Sequence, residues 1–347
     1  MNDTLSQPDG LLVLPRLRIQ NANAISSPLT WGFPSPTAFL GFAHALERRL
    51  SERFGVAFGG VGIVCHAFDA QTFRPNRRQH LVFTQTRNPV YLKRDIAKFI
   101  AEGTPSAIVE EGRAHLEISL VIAVSGSFEE AQQEQNFADI AHDMALGMRV
   151  AGGSVLPPTT PRAPRPQWVP WPSIQADRRK TFTRLRRQLL PGFALIHRPD
   201  LLDERINRLQ KGNDDATALD ALLDLTRLNH APAQPRGDNT STSEKVEWEV
   251  EKRAGWLVPL AVGYAGISPL HAPGEVTGAR DNATPFRFVE SLYSLGQWIG
   301  PHRLNQLDQL LWQSTADPDA GLYLCTNRYA ELIEARTETE PNTLQGA

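Results

Sequence analysis

Cysteine is nearly absent. Cys65 and Cys325 are the only two in 347 residues, far apart and without CxxC spacing. That excludes a disulfide framework and argues against a structural zinc site; a reducing, cytoplasmic setting is the expectation. No charge of one sign dominates. Lys and Arg number 36 against 38 Asp and Glu, a net charge of −2, and the pI is about 6.5. Any phosphate contact must therefore come from local cations, because there is no global basic field. No apolar run approaches the roughly 20 residues that span a bilayer, so no membrane partner is expected. The opening MNDTLSQPDG is polar, which predicts no secretory leader. No short repeat recurs. The remaining composition, 41% hydrophobic and 21% charged, suits a soluble globular protein of one large or two modest domains.

The run LLVLPRLRIQNANAISSPLTWGFPSPTAFLGFAHALERRL, residues 11–50, carries the most information. Leu11 to Leu14 are continuously apolar, as in a strand buried on both faces. Arg16 and Arg18 then alternate with Leu17 and Ile19, and period two places both arginines on one face. Gln20, Asn21 and Asn23 can hydrogen-bond base edges or backbone. Pro28, Gly32, Pro34 and Pro36 keep the following loop from helix or strand. Ser35 is a good N-cap with Pro36 at the first helical position. Phe39, Phe42, Ala43 and Leu46 recur at helical spacing. Thr30 to Thr37 would offer backbone N–H groups and a helix N-terminus, which suits a phosphate. An ordinary strand–loop–helix connection explains the same residues. Trp31 either stacks on a base or plugs the core beneath the loop, and the plug is favoured.

Further along, Val56 to Phe68 reads as a strand, with Gly59, Gly60 and Gly62 loosening its start. A basic tip with Arg74, Arg77 and Arg78 and a returning strand at Leu81 to Phe83 make a long hairpin. Arg87, Lys93, Arg94 and Lys98 extend the positive strip against Asp95. His115 to Val124 is a strong strand and Glu129 to Leu146 a helix. Met148 to Val155 is a turn and short strand. This βαββαβ order predicts an α+β fold: a ferredoxin-like or RRM-like sheet with helices on one side and the other face free. Pro157 to Pro172 is a stiff connector. Ile174 to Leu190 and Thr217 to Leu228 read as helices, and Asn229 to Ser243 as a mobile loop. Strands and turns follow from Glu249 to Leu270. Phe288 to Trp298 and Pro301 to Trp312 look like two more helices. The expected division is a head at 1–156 with a thumb at about 62–88 and a connector at 157–172. A mainly helical region at 173–248 follows, then a segment at 249–347 that packs back on the head.

Four further groups can bear function. Arg178, Arg179, Lys180, Arg184, Arg186 and Arg187 are the densest basic cluster. On a helix Arg179, Arg186 and Arg187 share one broad face, suited to RNA or DNA phosphate or simply solvated. The thumb-tip arginines are the second. Arg113 and His115 begin a strand and could approach Arg16 and Arg18; a salt bridge from Arg113 to Glu110 or Glu111 is the plainer account. Arg149, Gly152 and Gly153 lie in a glycine-rich turn whose backbone could approach phosphate, and Gly147 reads equally well as a helix C-cap. No catalytic constellation stands out, and no metal or cofactor is expected.

Nine segments, in order, resemble a known family: LPRLRIQNANAISSPLTWGFPSPTAFLGF, GVGIVCHAF, TRNPV, AIVEEGRAHLEISL, MRVAGGS, RRQLLPGFALI, LDALLDL, GWLVPLAVGY and RFVESLYSLGQW. The chain is identified as a member of the Cas-five-like family that supplies the second subunit of the type I-F CRISPR surveillance (Csy) complex. The resemblance implies a non-catalytic RNA-binding scaffold that pairs with the large subunit and holds the 5′ handle of the CRISPR RNA. It implies an RRM-like head with a protruding hairpin thumb along the RNA, and a backbone subunit as a further partner. Target DNA is a further candidate partner. It draws the Gly152–Gly153 turn and the arginine tip toward RNA, because related CRISPR subunits carry a glycine-rich loop there. Two other readings stay open. One is a metal-independent endoribonuclease on the same platform, using His44, His66 or His115 with Tyr91 or a lysine. The other is a protein–protein adaptor whose basic patches meet acidic partners.

Overall fold

A computed structural model of the chain describes residues 7–77, 80–87, 93–103, 108–126, 128, 130–160, 163–232, 248–250, 253 and 255–339. It opens with β1 (Gly10–Asn23), a small hairpin of β2 (Ile25–Ser27) and β3 (Thr30–Trp31), and α1 (Pro36–Phe54). β4 (Ala57–Ala70), β5 (Thr72–Phe73), β6 (Val82–Phe83), β7 (Gln85–Arg87), α2 (Lys93–Glu102) and β8 (Ile108–Glu110) lead to β9 (Arg113–Ser125). Then come α3 (Ala131–Leu146), β10 (Arg149–Val150) and β11 (Gly153–Leu156). The strand order in this part is β11–β1–β9–β4, each neighbour antiparallel.

The local chemistry of α1 explains where it starts and stops. The Ser35 hydroxyl accepts the Thr37 N–H at 3.2 Å, and Pro36 fits the first turn, where its missing N–H costs nothing. Phe39, Phe42, Ala43, Leu46 and Leu50 form the buried stripe. Gly55, at φ 63°, ends the helix by returning its N–H to the Ser51 carbonyl.

The second part threads back through the first. β12 (Gln167–Pro170) pairs with β1, and α4 (Gln175–Gln188) follows. Next are β13 (Phe193–His197), α5 (Pro199–Gln210), α6 (Ala218–Thr226) and the pair β14 (His230–Pro232) and β15 (Trp248–Val250). β16 (Trp256–Gly266), β17 (Val289–Ile299), β18 (Leu311–Asp317), β19 (Leu322–Asn327) and α7 (Tyr329–Thr339) complete the chain. β4, β13, β17, β16, β19 and β18 pair in that order, and β18 returns to β4. The result is a closed antiparallel ring that shares β4 with the first sheet.

Strand β4 meets β9 along one edge. Its other edge takes β18 at Val61 and Gly62, then β13 at Val64 and Cys65. Such crowding needs glycine. A Cβ on Gly60 would stand 2.9 Å from Leu311 Cβ, and one on Gly62 would stand 2.6 Å from Leu310 Cγ. These glycines give the crossing strand room; they do not loosen β4. Inside the ring Trp312 is fully buried and donates its indole N–H to the Leu195 carbonyl at 2.8 Å. Asn327 donates to the Gln309 and Leu311 carbonyls and accepts the Tyr329 N–H. His197 lies 2.8 Å from the Ser294 hydroxyl, and burial pushes its pKa down to about 4.

Two cores flank the first sheet. Leu12 and Leu14 point to α1 and α3, into a core continuous with the ring interior at Leu195, Leu260, Val262 and Trp312. Leu11 and Val13 point the other way, onto Phe182, Leu185 and Leu189 of the α4 segment. The expectation of a free second sheet face is therefore corrected. The fully apolar run Leu11–Leu14 needs cover on both sides, and α4 supplies it.

Several element expectations are corrected. Residues 289–299 are strand and not helix, because β13 and β16 hydrogen-bond both edges of β17. The expected helix from Pro301 to Trp312 is two short 3₁₀ turns, Pro301–Arg303 and Leu307–Gln309, followed by the start of β18. The proline-rich connector contributes β12, since an edge strand tolerates proline. The helical middle contains β13, whose five residues are too few to show a period. Of the expected loop at 229–243, residues 230–232 pair with β15 and residues 233–243 lie outside the described residues.

Gly62→Val should lower unfolding free energy by about 1–3 kcal/mol, the usual cost of overpacking, measured by urea denaturation. A second test uses pH. Folding favours neutral His197, so its contribution is complete above about pH 6.5 and declines as pH falls toward about 4. Over that window the parent protein should lose about 3 kcal/mol relative to His197→Gln.

Candidate nucleic-acid interface

Strand β1 does not alternate cleanly. Its register against β9 skips between Leu14 and Leu17 and again between Ile19 and Ala22. Each skip contains a non-glycine residue with positive φ, Arg16 at 53° and Asn21 at 59°. These are bulges, which re-aim side chains and sharpen the local twist. Arg16 reaches Glu117 at 2.8 Å, and Glu117 sits directly opposite Arg18. The two arginines do flank one face, through a bulge at Arg16 and the register of Arg18 opposite Glu117, and not through simple period two.

Asn21 is the centre of a polar cluster. Its N–H donates to His115 Nδ1 at 3.4 Å, and its carbonyl accepts from Arg113 at 3.5 Å. The Gln71 amide lies 2.5 Å from the Asn21 side-chain oxygen and 3.1 Å from His115 Nε2. Asn23 pairs with Arg113 in the β1–β9 register and turns its amide onto Ile25. Arg113 and His115 thus meet Asn21 and Asn23, and not Arg16 and Arg18 as expected, because the strands run antiparallel. Arg113 also forms the anticipated ion pair with Glu111, at 2.8 Å. Gln71 was not singled out from the sequence; nothing local marks it, and only the register brings it here.

The β10–β11 hairpin closes on the same end of the sheet. Ala151 and Gly152 both have positive φ, at 48° and 75°, as a tight two-residue hairpin turn requires. A Cβ on Gly153 would lie 2.7 Å from the Ala22 N, so only glycine permits this approach. Gly152 is exposed, with nothing within 4 Å of where its Cβ would be. Arg149 is exposed and donates to the Gly152 carbonyl at 3.2 Å. Gly147 caps α3 at φ −89°, without a left-handed conformation. Arg18 and Arg149 have no carboxylate partner among the described residues.

The β4 strand runs out past Gln71 into the β5–β6 ribbon, and β7 pairs with β8 on the way back to β9. Arg74 and Arg77 are exposed on that ribbon. Arg78 and Tyr91 lie outside the described residues.

The loop after β1 behaves differently from its expectation. It contains the β2–β3 hairpin despite its prolines. Thr30 and Ser27 share a buried 2.6 Å hydroxyl bond. Ser35 is buried and donates to the Ala261 carbonyl at 2.6 Å. Thr37 and Ala38 return their N–H groups to Ser35, so the α1 N-terminus is closed by its own cap. Trp31 is not the plug. It is 68% exposed and touches Phe83 edge-on at 5.6 Å. Phe33 fills that role, stacked on Phe39 at 5.3 Å and edge-on to Trp298 at 4.9 Å. The aliphatic and aromatic spacing of the loop does not separate Trp31 from Phe33; the turn at Gly32, φ 118°, does.

On α4 the six basic residues divide. Arg178 donates to the Pro172 carbonyl at 2.5 Å, and Arg186 to the His302 and Leu304 carbonyls. Arg179, Lys180, Arg184 and Arg187 are exposed. Arg186 lies seven positions and about 20° of helix from Arg179, and the two line one cavity, with Arg186 held by the His302 and Leu304 carbonyls; Arg187 stands about 100° from Arg186.

The histidines are dispersed. His44 is exposed beside Glu47 at 3.6 Å. His66 is held between the Pro191 carbonyl at 2.6 Å and the Ser119 hydroxyl at 2.7 Å. Ser119 accepts the Arg16 N–H at 3.0 Å. That arrangement fits His66 Nδ1–H donating to Pro191 and Nε2 accepting from Ser119. Burial lowers the His66 pKa against the opposing effect of the Pro191 bond. Burial raises the Cys65 thiol to about 12 and Cys325 to about 11, so neither is a ready thiolate. Among the described residues no His, Cys, Asp or Glu cluster could hold a metal ion. Among them also, no helix is long and apolar enough to cross a membrane.

A family model described as CRISPR-associated protein (Cas_Csy2) matches residues 12–325. The chain belongs to the Csy2 family of the type I-F CRISPR system. It is similar to CRISPR-associated protein Csy2 of Pseudomonas aeruginosa (strain UCBPP-PA14), 48% identical over 331 residues, which cover 94% of this chain and 98% of the relative. The family match begins in β1 and ends in β19, so it spans the first sheet and the ring alike.

Phe33→Ala should destabilise the fold by about 2–3 kcal/mol, while Trp31→Ala should cost about 1 kcal/mol or less. Thermal unfolding of both variants checks this. Equal losses would contradict the assignment of Phe33 as the plug.

Proposed function

We propose that the chain is a non-catalytic RNA-binding scaffold subunit of a type I-F surveillance complex in the cytoplasm. In this reading it holds the 5′ handle of the CRISPR RNA and pairs with the large subunit, beside a backbone subunit. One observation carries it: a single end of the sheet gathers Arg18, Asn21, Arg113, His115, Arg149 and the exposed Gly152 of the β10–β11 turn. Cations supply phosphate affinity, amides and the imidazole can address bases, and glycine lets backbone approach. The β5–β6 ribbon with Arg74 and Arg77 extends from the same end, as a thumb over RNA would. The β11–β1–β9–β4 order, with α1 and α3 on one face, supports an RRM-like head. Membership of the Csy2 family supports the same reading. His66 has both ring nitrogens engaged, which supports a structural role for it and not that of an RNA-cleaving base.

The test is handle-RNA binding by fluorescence anisotropy across a salt series. Arg18→Ala with Arg149→Ala should weaken binding and lower the salt slope by about 1.4, roughly 0.7 per lost phosphate contact. Unchanged affinity would sink the proposed site. Cleavage of repeat RNA that vanishes in His→Ala variants would instead make the chain an enzyme.

A further inference from the structure

Helix α4 carries a second cationic surface, on the face of the first sheet opposite α1 and α3. Phe182 and Leu185, with Leu189 after the helix, anchor it to the second face of the sheet. Arg178 and Arg186 clamp it through the Pro172, His302 and Leu304 carbonyls. The side facing away is built otherwise. Arg179, Lys180, Thr183, Arg184, Arg187 and Gln188 line a shallow trough of about 580 Å³. At 3.6 residues per turn these six fall within one half of the helix circumference. Lys180 is the one with a carboxylate partner, Asp177 at 3.0 Å, in a solvent-exposed pair. Such a pair holds little energy and yields readily to a phosphate. Arg179, Arg184 and Arg187 have no acceptor among the described residues.

We propose that this face of α4 binds the sugar–phosphate backbone of a nucleic-acid duplex. Arg179 and Arg187 are eight positions apart, about 12 Å along the axis, close to the axial length of three or four phosphates of one strand. The trough has no aromatic lining. Single strands are held by aromatic side chains stacked on bases, whereas a duplex presents phosphates outward and hides its base faces. A face of cations, one hydroxyl and one amide matches the duplex. A rigid mount matters too, because cations fixed in place lose less freedom on binding. The site lies on the α4 side of the sheet and shares no residue with the handle site. This inference does not depend on the handle reading.

The experiment measures anisotropy of a short labelled DNA duplex of arbitrary sequence, and of a labelled single-stranded RNA, against full-length protein across a salt series. Replacing Arg179, Arg184 and Arg187 together by alanine should weaken duplex binding at least tenfold. The salt slope should fall by about 2.7, roughly 0.9 per lost phosphate contact. Replacing the same three by lysine should restore most of the slope. Single-stranded RNA affinity should stay unchanged. The pair Arg178→Ala and Arg186→Ala should lower the melting temperature and leave the slope intact. Unchanged duplex affinity in the triple alanine variant overturns the proposal. So does a loss confined to single-stranded RNA, or a loss of subunit assembly without loss of duplex binding, which would assign the face to an acidic protein partner.

Discussion

One strand meets three others. β4 gives one edge to β9 and divides the other between β18 and β13, within the span Val61–Cys65. That sharing joins the first sheet to the ring, and it exists because Gly60 and Gly62 let Leu310, Leu311 and Trp312 come within contact. The core follows from it. α1 packs at once on its own sheet and on β16 and β18, so Phe39 and Trp312 belong to one continuous apolar interior. Ser35 reinforces this by capping α1 and bonding Ala261 in the ring. The same joint aligns β5–β6, since that ribbon is the prolongation of β4.

The two bulges of β1 shape the opposite function. A regular strand would place Asn21 in the pleat; a left-handed Asn21 turns its backbone and side chain toward His115, Gln71 and Arg113. Non-glycine residues in that conformation carry a cost, and they persist where surrounding bonds fix them. At Arg16 the fixing group is the Ser119–His66–Pro191 chain together with Glu117. The strained positions thus fall at the polar end of the sheet, where RNA is proposed to lie, and the fully apolar half of the same strand stays regular.

Arginine has two occupations here. Arg16, Arg178 and Arg186 bond carboxylates or backbone carbonyls within the fold. Arg198 grips Asp200 and Gln297, and Arg205 grips the buried Asp224. Others stand in solvent on α4, on the ribbon and beside Gly152. A chain of net charge −2 can present local phosphate surfaces in this way, since affinity depends on the cations within reach and not on the total.

The sequence by itself determined the local order: the doubly buried run Leu11–Leu14, the capped start of α1, the strong strand β9, and the glycines of the 152–153 turn. Each is written in neighbours a few residues apart, through period, cap or turn chemistry. The nine ordered segments likewise pointed to the family that the full-length match identifies. Tertiary structure decided the rest. β17 resembles a helix until two strands hydrogen-bond its edges. Trp31 and Phe33 are interchangeable as plugs until Gly32 turns one out and one in. Arg179 and Arg186, seven positions apart on the helix, differ only when the carbonyls of the 302–304 turn claim Arg186. Gln71 joins the site solely through the register of β4 on β9. The division has one physical reason: period and capping are local, whereas hydrogen-bond partners, burial and the neighbours of a cation come from chain segments tens to more than a hundred residues away.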